Sequence, residues 1–188
     1  MSNVRLETDR LTLRDWQSDA DWDAFFAGTN TPEVMEWLGG VMDDEMKAMQ
    51  RARVEACAAD HGHCFWAVER KEDGAILGFC GLKRVNAEGA PNPQDFEIGW
   101  RFATFAQGQG YAKEAAERAM WAAFEDYDAP HVVALTIIEN VPSWRLMEKL
   151  GMERRTELDF VDPRYGPELN PLIVYAITRD QWKARTPA

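Results

Sequence analysis

The chain has 188 residues, 46% of them hydrophobic and 28% charged, enough for one domain with a real core. A formal net charge of −11 argues against the basic surface that DNA or RNA binding needs; it suits a soluble protein and would favour a cationic substrate. No apolar run approaches the roughly 18 residues of a membrane span, the opening MSNVRLETDR lacks the apolar centre of a secretory leader, and Cys57, Cys64 and Cys80 are odd in number without metal-ligand spacing, which reads as reduced thiols of a cytoplasmic protein.

Residues 11–16 alternate apolar and polar, from Leu11 and Leu13 to Trp16, and predict a first strand. Asp19 is expected to cap a helix that carries Trp22, Phe25 and Phe26 on one face. Thr31-Pro32 opens a short turn or helix through Trp37, ended by Gly39-Gly40. A second long helix follows over 43–60. Strands over 65–69 and 76–82 are joined by the turn Glu72-Asp73-Gly74. Residues 86–92 are a surface loop. The stretch 96–102 alternates Phe96, Ile98 and Trp100 against Glu97, Gly99 and Arg101, so as a strand it need not point Glu97 into the core.

The most informative junction comes next: Gln107-Gly108-Gln109-Gly110-Tyr111-Ala112. It leads into a helix over 111–127 with small or apolar residues at Ala112, Ala115, Ala116, Ala119, Met120 and Ala123, a face that lies close to a sheet. A glycine-rich turn opening a helix leaves backbone N–H groups without carbonyl partners and adds the positive end of the dipole, which together suit a pyrophosphate. The turn lacks the Lys-Ser/Thr of a nucleotide phosphate loop. Its glycine spacing is not that of the dinucleotide fingerprint, which disfavours a dinucleotide-dependent oxidoreductase. By itself it is equally a helix entry that needs conformational freedom.

Residues 132–138 form an apolar, buried strand, suited to parallel pairing. A short helix over 142–150 ends at Gly151, with Asn140 as its N-cap. Strands over 152–160 and 172–177 complete the set. Hairpins in the middle and strand–helix alternation in the second half give a mixed α/β fold, a sheet with helices packed on it, in one domain over 1–188.

The string Asn140-Val141-Pro142-Ser143, continuing Met147-Glu148-Lys149-Leu150-Gly151-Met152, resembles the second cofactor motif of the GCN5-related N-acetyltransferases, the GNAT superfamily. The turn 107–112 resembles that superfamily's Gln/Arg-x-x-Gly-x-Gly/Ala signature, in the expected order and with one strand between. Further stretches resemble the RimJ/RimL-type branch: Leu6 to Arg14 its first strand, Thr31-Pro32-Glu33-Val34-Met35 its short second helix, Glu97-Ile98-Gly99-Trp100-Arg101 its fourth strand and Val174-Tyr175 its last. The resemblance covers about residues 5–183. It implies a mostly antiparallel sheet of about seven strands, the fourth and fifth splayed, flanked by about four helices. It also implies acetyl-CoA as cofactor, its pyrophosphate on the backbone of Gln107, Gly108, Gln109, Gly110, Tyr111 and Ala112. The pantetheine arm would pair with strand backbone near Arg101 and Phe102, with Asn140 near it.

Acetyl transfer to an amine needs a neutral nucleophile, a stabilised oxyanion and a proton or hydrogen bond for the leaving thiolate. The resemblance places Ser143 near the thioester sulfur; alternatively Ser143 only occupies the first turn of its helix. Met147 stands where many superfamily members carry an acid tyrosine, and Met cannot donate a proton. Glu97 is a candidate base, directly or through a water, or else an ion-paired or solvated carboxylate. Cys64 and Cys80 read as core, and His61, His63 and His131 as surface groups. Trp16, Trp22 and Trp37 on the helix side, with Trp66 and Trp100 on the sheet side, are candidates for an acceptor pocket. The expected activity is direct acetyl transfer to a primary amine, a protein N-terminus such as a ribosomal protein's or a small molecule, by a monomer or homodimer. The alternative is a non-catalytic acyl-CoA-binding or sensory domain.

Overall fold

The computed structural model describes residues 4–185; residues 1–3, which begin the charged opening stretch, and 186–188 lie outside it. The chain divides into two compact units, Met1–Lys83 with Gly99–Ala119, and Arg84–Ile98 with Met120–Ala188.

The first unit begins with a short hairpin, β1 (Arg5–Glu7) and β2 (Leu11–Arg14). The single strand expected at 11–16 is therefore shorter, and the stretch matched to one family strand is two. The chain turns at Thr8, whose N–H donates to the Leu11 carbonyl at 3.0 Å. Helix α1 (Asp19–Thr29) is capped by Ser18, whose hydroxyl accepts from the Asp21 N–H; Asp19, the expected cap, is the first helical residue instead. Thr31 caps α2 (Pro32–Met35), which ends before Trp37, and Asp43 caps α3 (Asp44–His61). Strands β3 (Phe65–Arg70) and β4 (Ile76–Arg84) follow, with β4 two residues longer than expected.

Strand β5 (Phe96–Phe102) has the predicted bounds and runs from the second unit into the first. A 3₁₀ turn, Thr104–Ala106, leads to the glycine junction and α4 (Tyr111–Glu125). The second unit holds β6 (His131–Thr136), α5 (Val141–Lys149), β7 (Glu153–Arg154), β8 (Ile173–Thr178) and α6 (Arg179–Ala184). The long strand expected at 152–160 shrinks to β7. A 3₁₀ turn at Thr156–Leu158 breaks it, and the Asp159 carboxylate takes up both Arg154 and the Val174 N–H. Only an isolated bridge, Phe160↔Leu172, survives further on.

In the first unit the strand order is β1-β2-β3-β4-β5; in the second it is β5-β6-β8-β7. Pairing is antiparallel in β1/β2, β2/β3, β3/β4, β6/β8 and β7/β8, and parallel in β5/β6. Among the described residues this makes eight strands and six α-helices, against the about seven and about four that the resemblance implies; the short β1 and α6 are elements that the sequence pattern did not announce. The β5/β6 ladder consists of two pairs, Phe96↔Val132 and Glu97↔Val133, while β5 continues for five more residues, as the splayed pair requires.

The core of the first unit gathers Trp22, Phe25, Val54, Cys64, Ala67, Ile76 and Phe79. Phe79 stacks on Phe65 at 4.5 Å between centroids and meets Phe25 at 5.5 Å. Emptying the Phe25 position would cost about 3–5 kcal/mol. In the second unit Val133, Val174 and Ala176 pack with Val85 and Phe160. No helix among the described residues is long and apolar enough to cross a membrane.

Candidate acyl-CoA site

In the first unit the end of β5, the glycine junction and the start of α4 lie in sequence. The Ala106 N–H bonds the Ala103 carbonyl at 2.9 Å and the Gln107 N–H bonds the Thr104 carbonyl at 3.1 Å, so the chain reverses tightly before the glycines. Gly108 and Gly110 have φ of 73° and 83°, the left-handed region that side chains resist. A Cβ at Gly108 would meet nothing within 4 Å, and one at Gly110 only Arg10 Nη2 at 3.5 Å. These glycines therefore serve backbone conformation and an open approach, and internal packing does not require them. The first bond of α4 runs from the Glu114 N–H to the Gly110 carbonyl at 3.1 Å. Helix geometry then leaves the N–H groups of Tyr111, Ala112 and Lys113 for an outside acceptor. The exposed turn, its donors and the dipole of a 15-residue helix fit a pyrophosphate.

Sequence reading missed Arg10. Its Nη1 donates to the Gln109 carbonyl at 3.1 Å, its Nε to Glu114 Oε2 at 2.7 Å, and its guanidinium covers the Tyr111 ring at 4.4 Å. The Thr8 hydroxyl and the Arg10 amide both donate to Glu114 Oε1, at 2.6 and 3.0 Å. Burial alone would raise the Glu114 carboxyl, but these donors outweigh it and hold its pKa below the usual value. A cation thus lies against the turn. Its signal was present in the stretch Thr8 to Arg14, but its partners lie about a hundred residues away.

The Arg101 carbonyl is turned toward β4, so close that a Cβ at Gly78 would sit 2.1 Å from it, and the Ala103 N–H bonds the Leu77 carbonyl at 2.8 Å. Backbone groups alternate along a strand, so Phe102 presents its carbonyl on the other side, where Gln107 Nε2 donates to it at 3.2 Å. Of the two residues whose backbone was expected near a pantetheine arm, Phe102 has its carbonyl taken by Gln107, and Arg101 has its carbonyl toward β4 and its side chain in the core.

In the second unit Glu97 stands on β5 opposite Val133 and is 8% exposed. It is buried, contrary to what strand alternation suggested, because both faces of β5 are covered there; this removes the solvated reading. Asn140 occupies the N-cap position of α5 without a side-chain cap bond. Its carbonyl does the local work, accepting from the N–H of Ser143 at 3.1 Å and of Trp144 at 3.4 Å. Ser143 is half-buried on the first turn. Met147, at 1% exposed, is core.

Cys57, Cys64 and Cys80 form no disulfide among the described residues. The Cys57 thiol and burial push Cys64 up and burial pushes Cys80 up, so neither is a ready thiolate. His63 is buried, contrary to its expected surface place, because its Nδ1 lies 2.9 Å from the Leu82 carbonyl. His131 pairs with Asp95 at 2.8 Å. Trp66 is 1% exposed and belongs to the core, outside any acceptor pocket; Trp16 stacks on Trp22 at 3.8 Å, and Trp37 and Trp100 are half-buried.

The model of the Acetyltransferase (GNAT) domain matches residues 10–153. The uncharacterized N-acetyltransferase YnaD of Bacillus subtilis (strain 168) is 29% identical over 181 residues, 95% of this chain and 99% of the relative. The uncharacterized protein YkkB of the same organism is 30% identical over 151 residues, 80% and 86% of the two chains. The crystal structure of an acetyltransferase from Agrobacterium tumefaciens str. C58 superposes with a TM-score of 0.77 at 27% identity, covering 95% of this chain and 96% of that one. With the family model matched from β1's turn to β7, the chain belongs to the GNAT acetyltransferase family.

Proposed function

We propose that residues 1–188 work as one acetyl-CoA-dependent N-acetyltransferase domain of the RimJ/RimL-type branch. It transfers acetyl directly to a primary amine, a protein N-terminus or a small molecule. The observation that carries this reading is the junction at 107–112, two left-handed glycines with open space beside them at the start of a 15-residue helix. The family match spans it, and the YnaD relative is named an N-acetyltransferase. The branch assignment rests on the stretches Leu6 to Arg14, Thr31 to Met35 and Glu97 to Arg101.

The backbone of Gln107 to Ala112 would hold the pyrophosphate, with Arg10 alongside. The Phe102 backbone would meet the pantetheine arm, and Asn140 would lie near it. Acetyl-CoA supplies an activated acyl carbon on a good leaving group. Glu97, shielded from bulk water, takes the proton that leaves the attacking amine, directly or through a water. The Ser143 hydroxyl donates a hydrogen bond to the departing thiolate; its own pKa is too high for an efficient acid, so stabilisation is its role. Reduced thiols at Cys57, Cys64 and Cys80 suit a cytoplasmic setting.

The deciding experiment offers acetyl-CoA with a panel of amines and peptides, reading thiol release and acetylated products by mass spectrometry. Turnover is expected on at least one class. Cofactor binding without turnover on any would favour a non-catalytic acyl-CoA-binding domain.

A further inference from the structure

Two arginines of the first unit are equally buried, Arg14 and Arg101, each 6% exposed. The fold treats them differently. Arg14 is held by two carboxylates, Asp21 at 2.8 Å and Glu69 at 2.8 Å. Arg101 meets no carboxylate among the described residues. Its Nη2 donates to Gln50 Oε1 at 2.9 Å, its Nη1 to the Met35 thioether at 3.2 Å, and its Nε–H has no partner. The guanidinium lies 4.5 Å from the Phe25 ring centroid and 5.3 Å from that of Phe79. Burial pushes its pKa down to about 10, which still leaves a cation at neutral pH. A buried cation with neutral partners is costly, and an arriving anion would relieve that cost.

The two partners of this guanidinium flank the connection between α2 and α3. Met35 ends α2, and the chain beyond it passes Gly39 and Gly40, with φ of 92° and 85°, before α3. Leu38 and Val41 in that connection, Met46 one turn before Gln50 and Met49 next to it are large apolar side chains left exposed. The thioether is a weak acceptor on a flexible chain, easily displaced by a carboxylate. The guanidinium fork then has its Nε–H and the remaining Nη hydrogens for two oxygens. The protein's net charge of −11 disfavours a wholly anionic molecule; a compound with one amine and one carboxylate is neutral overall.

We propose that Arg101 anchors a carboxylate of the acceptor, and that the substrate is a small amino acid or related amino-carboxylate. This rests on the acetyltransferase reading above. The amine lone pair forms the N–C bond to the acetyl carbon, the C–S bond breaks with its pair going to sulfur, one proton leaves the nitrogen and one reaches the sulfur. The products are an N-acetylated amino-carboxylate and CoA.

The test offers acetyl-CoA with the twenty protein amino acids, their decarboxylated amines and short peptides, to wild type, Arg101→Gln and Gln50→Glu. Wild type is expected to prefer an amino acid over its decarboxylated amine in kcat/KM. Arg101→Gln should lower that ratio roughly 10- to 100-fold, through KM, as loss of a charged hydrogen-bond partner does. Gln50→Glu gives Arg101 an internal carboxylate, so it should lower the same ratio while raising Tm, and it serves if Arg101→Gln fails to fold. Equal ratios in all three proteins, or turnover of decarboxylated amines or peptides only, would overturn the carboxylate site and leave the acetyltransferase standing. If no amine turned over, the acetyltransferase reading would fall. Thermal shift with the amino acids alone would then decide: a shift in wild type absent from Gln50→Glu supports the site, and no shift in wild type refutes it.

Discussion

Arg10 and Glu114, 104 residues apart, are joined at 2.7 Å, and the same guanidinium donates to the Gln109 carbonyl inside the glycine turn. The link ties the β1–β2 turn to the opening of α4. It engages the carbonyl of Gln109, leaves the N–H groups at the start of α4 for a ligand, and keeps a positive charge at the helix N-terminus. Arg10→Ala should therefore weaken acetyl-CoA binding roughly tenfold, the loss of one charge-assisted contact. Calorimetry in low and moderate salt checks this; an unchanged Kd would make the clasp purely structural.

The same clasp has a pH signature. The Glu114 carboxyl is held below its usual value of 4.5 in the folded chain. A lowered folded pKa contributes stability that is fully present above about pH 4.5 and is lost as the pH falls through the folded value. Glu114→Gln should melt below wild type at pH 7, and the gap should close on acidification below 4.5. A gap that stayed constant across that window would show that the charge of Glu114 contributes nothing.

How far the sequence discloses this molecule depends on range. The bounds of β5 and the start of α4 were legible because alternation and glycine placement are local signals, as was the Gly151 stop after α5. Asp19 misled because Ser18, equally good as a cap, stands beside it. The break of the 152–160 stretch hangs on Asp159 reaching Val174, a contact across 15 residues that no periodicity reports. In the candidate site the turn was readable, but the burial of Glu97 and the Arg10 clasp were not, since both depend on what the rest of the chain packs against them.

Gly110 is the turn position where a side chain does most harm. Its φ of 83° resists any Cβ, and an aspartate there would put a negative charge among the donors meant for the pyrophosphate. Its neighbour Arg10 Nη2, 3.5 Å from the new Cβ, would be drawn into an ion pair and away from the ligand. Gly110→Asp is expected to abolish CoA binding by calorimetry while leaving a folded protein by circular dichroism. Retained affinity would mean the cradle lies elsewhere.

Arg14 tests the packing beneath α1. Its guanidinium takes both oxygens of Asp21, at 2.8 and 2.9 Å, and also Glu69. Arg14 holds the Asp21 carboxyl below its usual value even against burial. Arg14→Ala leaves two partly buried carboxylates facing each other, at a cost of about 3–5 kcal/mol in urea denaturation at pH 7. A loss under 1 kcal/mol would indicate that water replaces the guanidinium freely.

Ser143 separates catalysis from folding. Its N–H, not its hydroxyl, makes the local bond to the Asn140 carbonyl, so Ser143→Ala keeps the first turn of α5 intact and substitutes a better helix former. If the hydroxyl stabilises the leaving thiolate, turnover should fall by roughly 10²–10⁴-fold with little change in acetyl-CoA affinity. Placing a tyrosine at 147, where many relatives of the superfamily carry their acid, should not restore it. Met147 is 1% exposed, so the larger ring would overpack the core, at about 1–3 kcal/mol, before it could reach a substrate. Steady-state kinetics on Ser143→Ala and on the double variant Ser143→Ala, Met147→Tyr decide the matter. Normal turnover in the first removes Ser143 from the chemistry, and rescue in the second would mean that α5 can turn residue 147 toward the thioester.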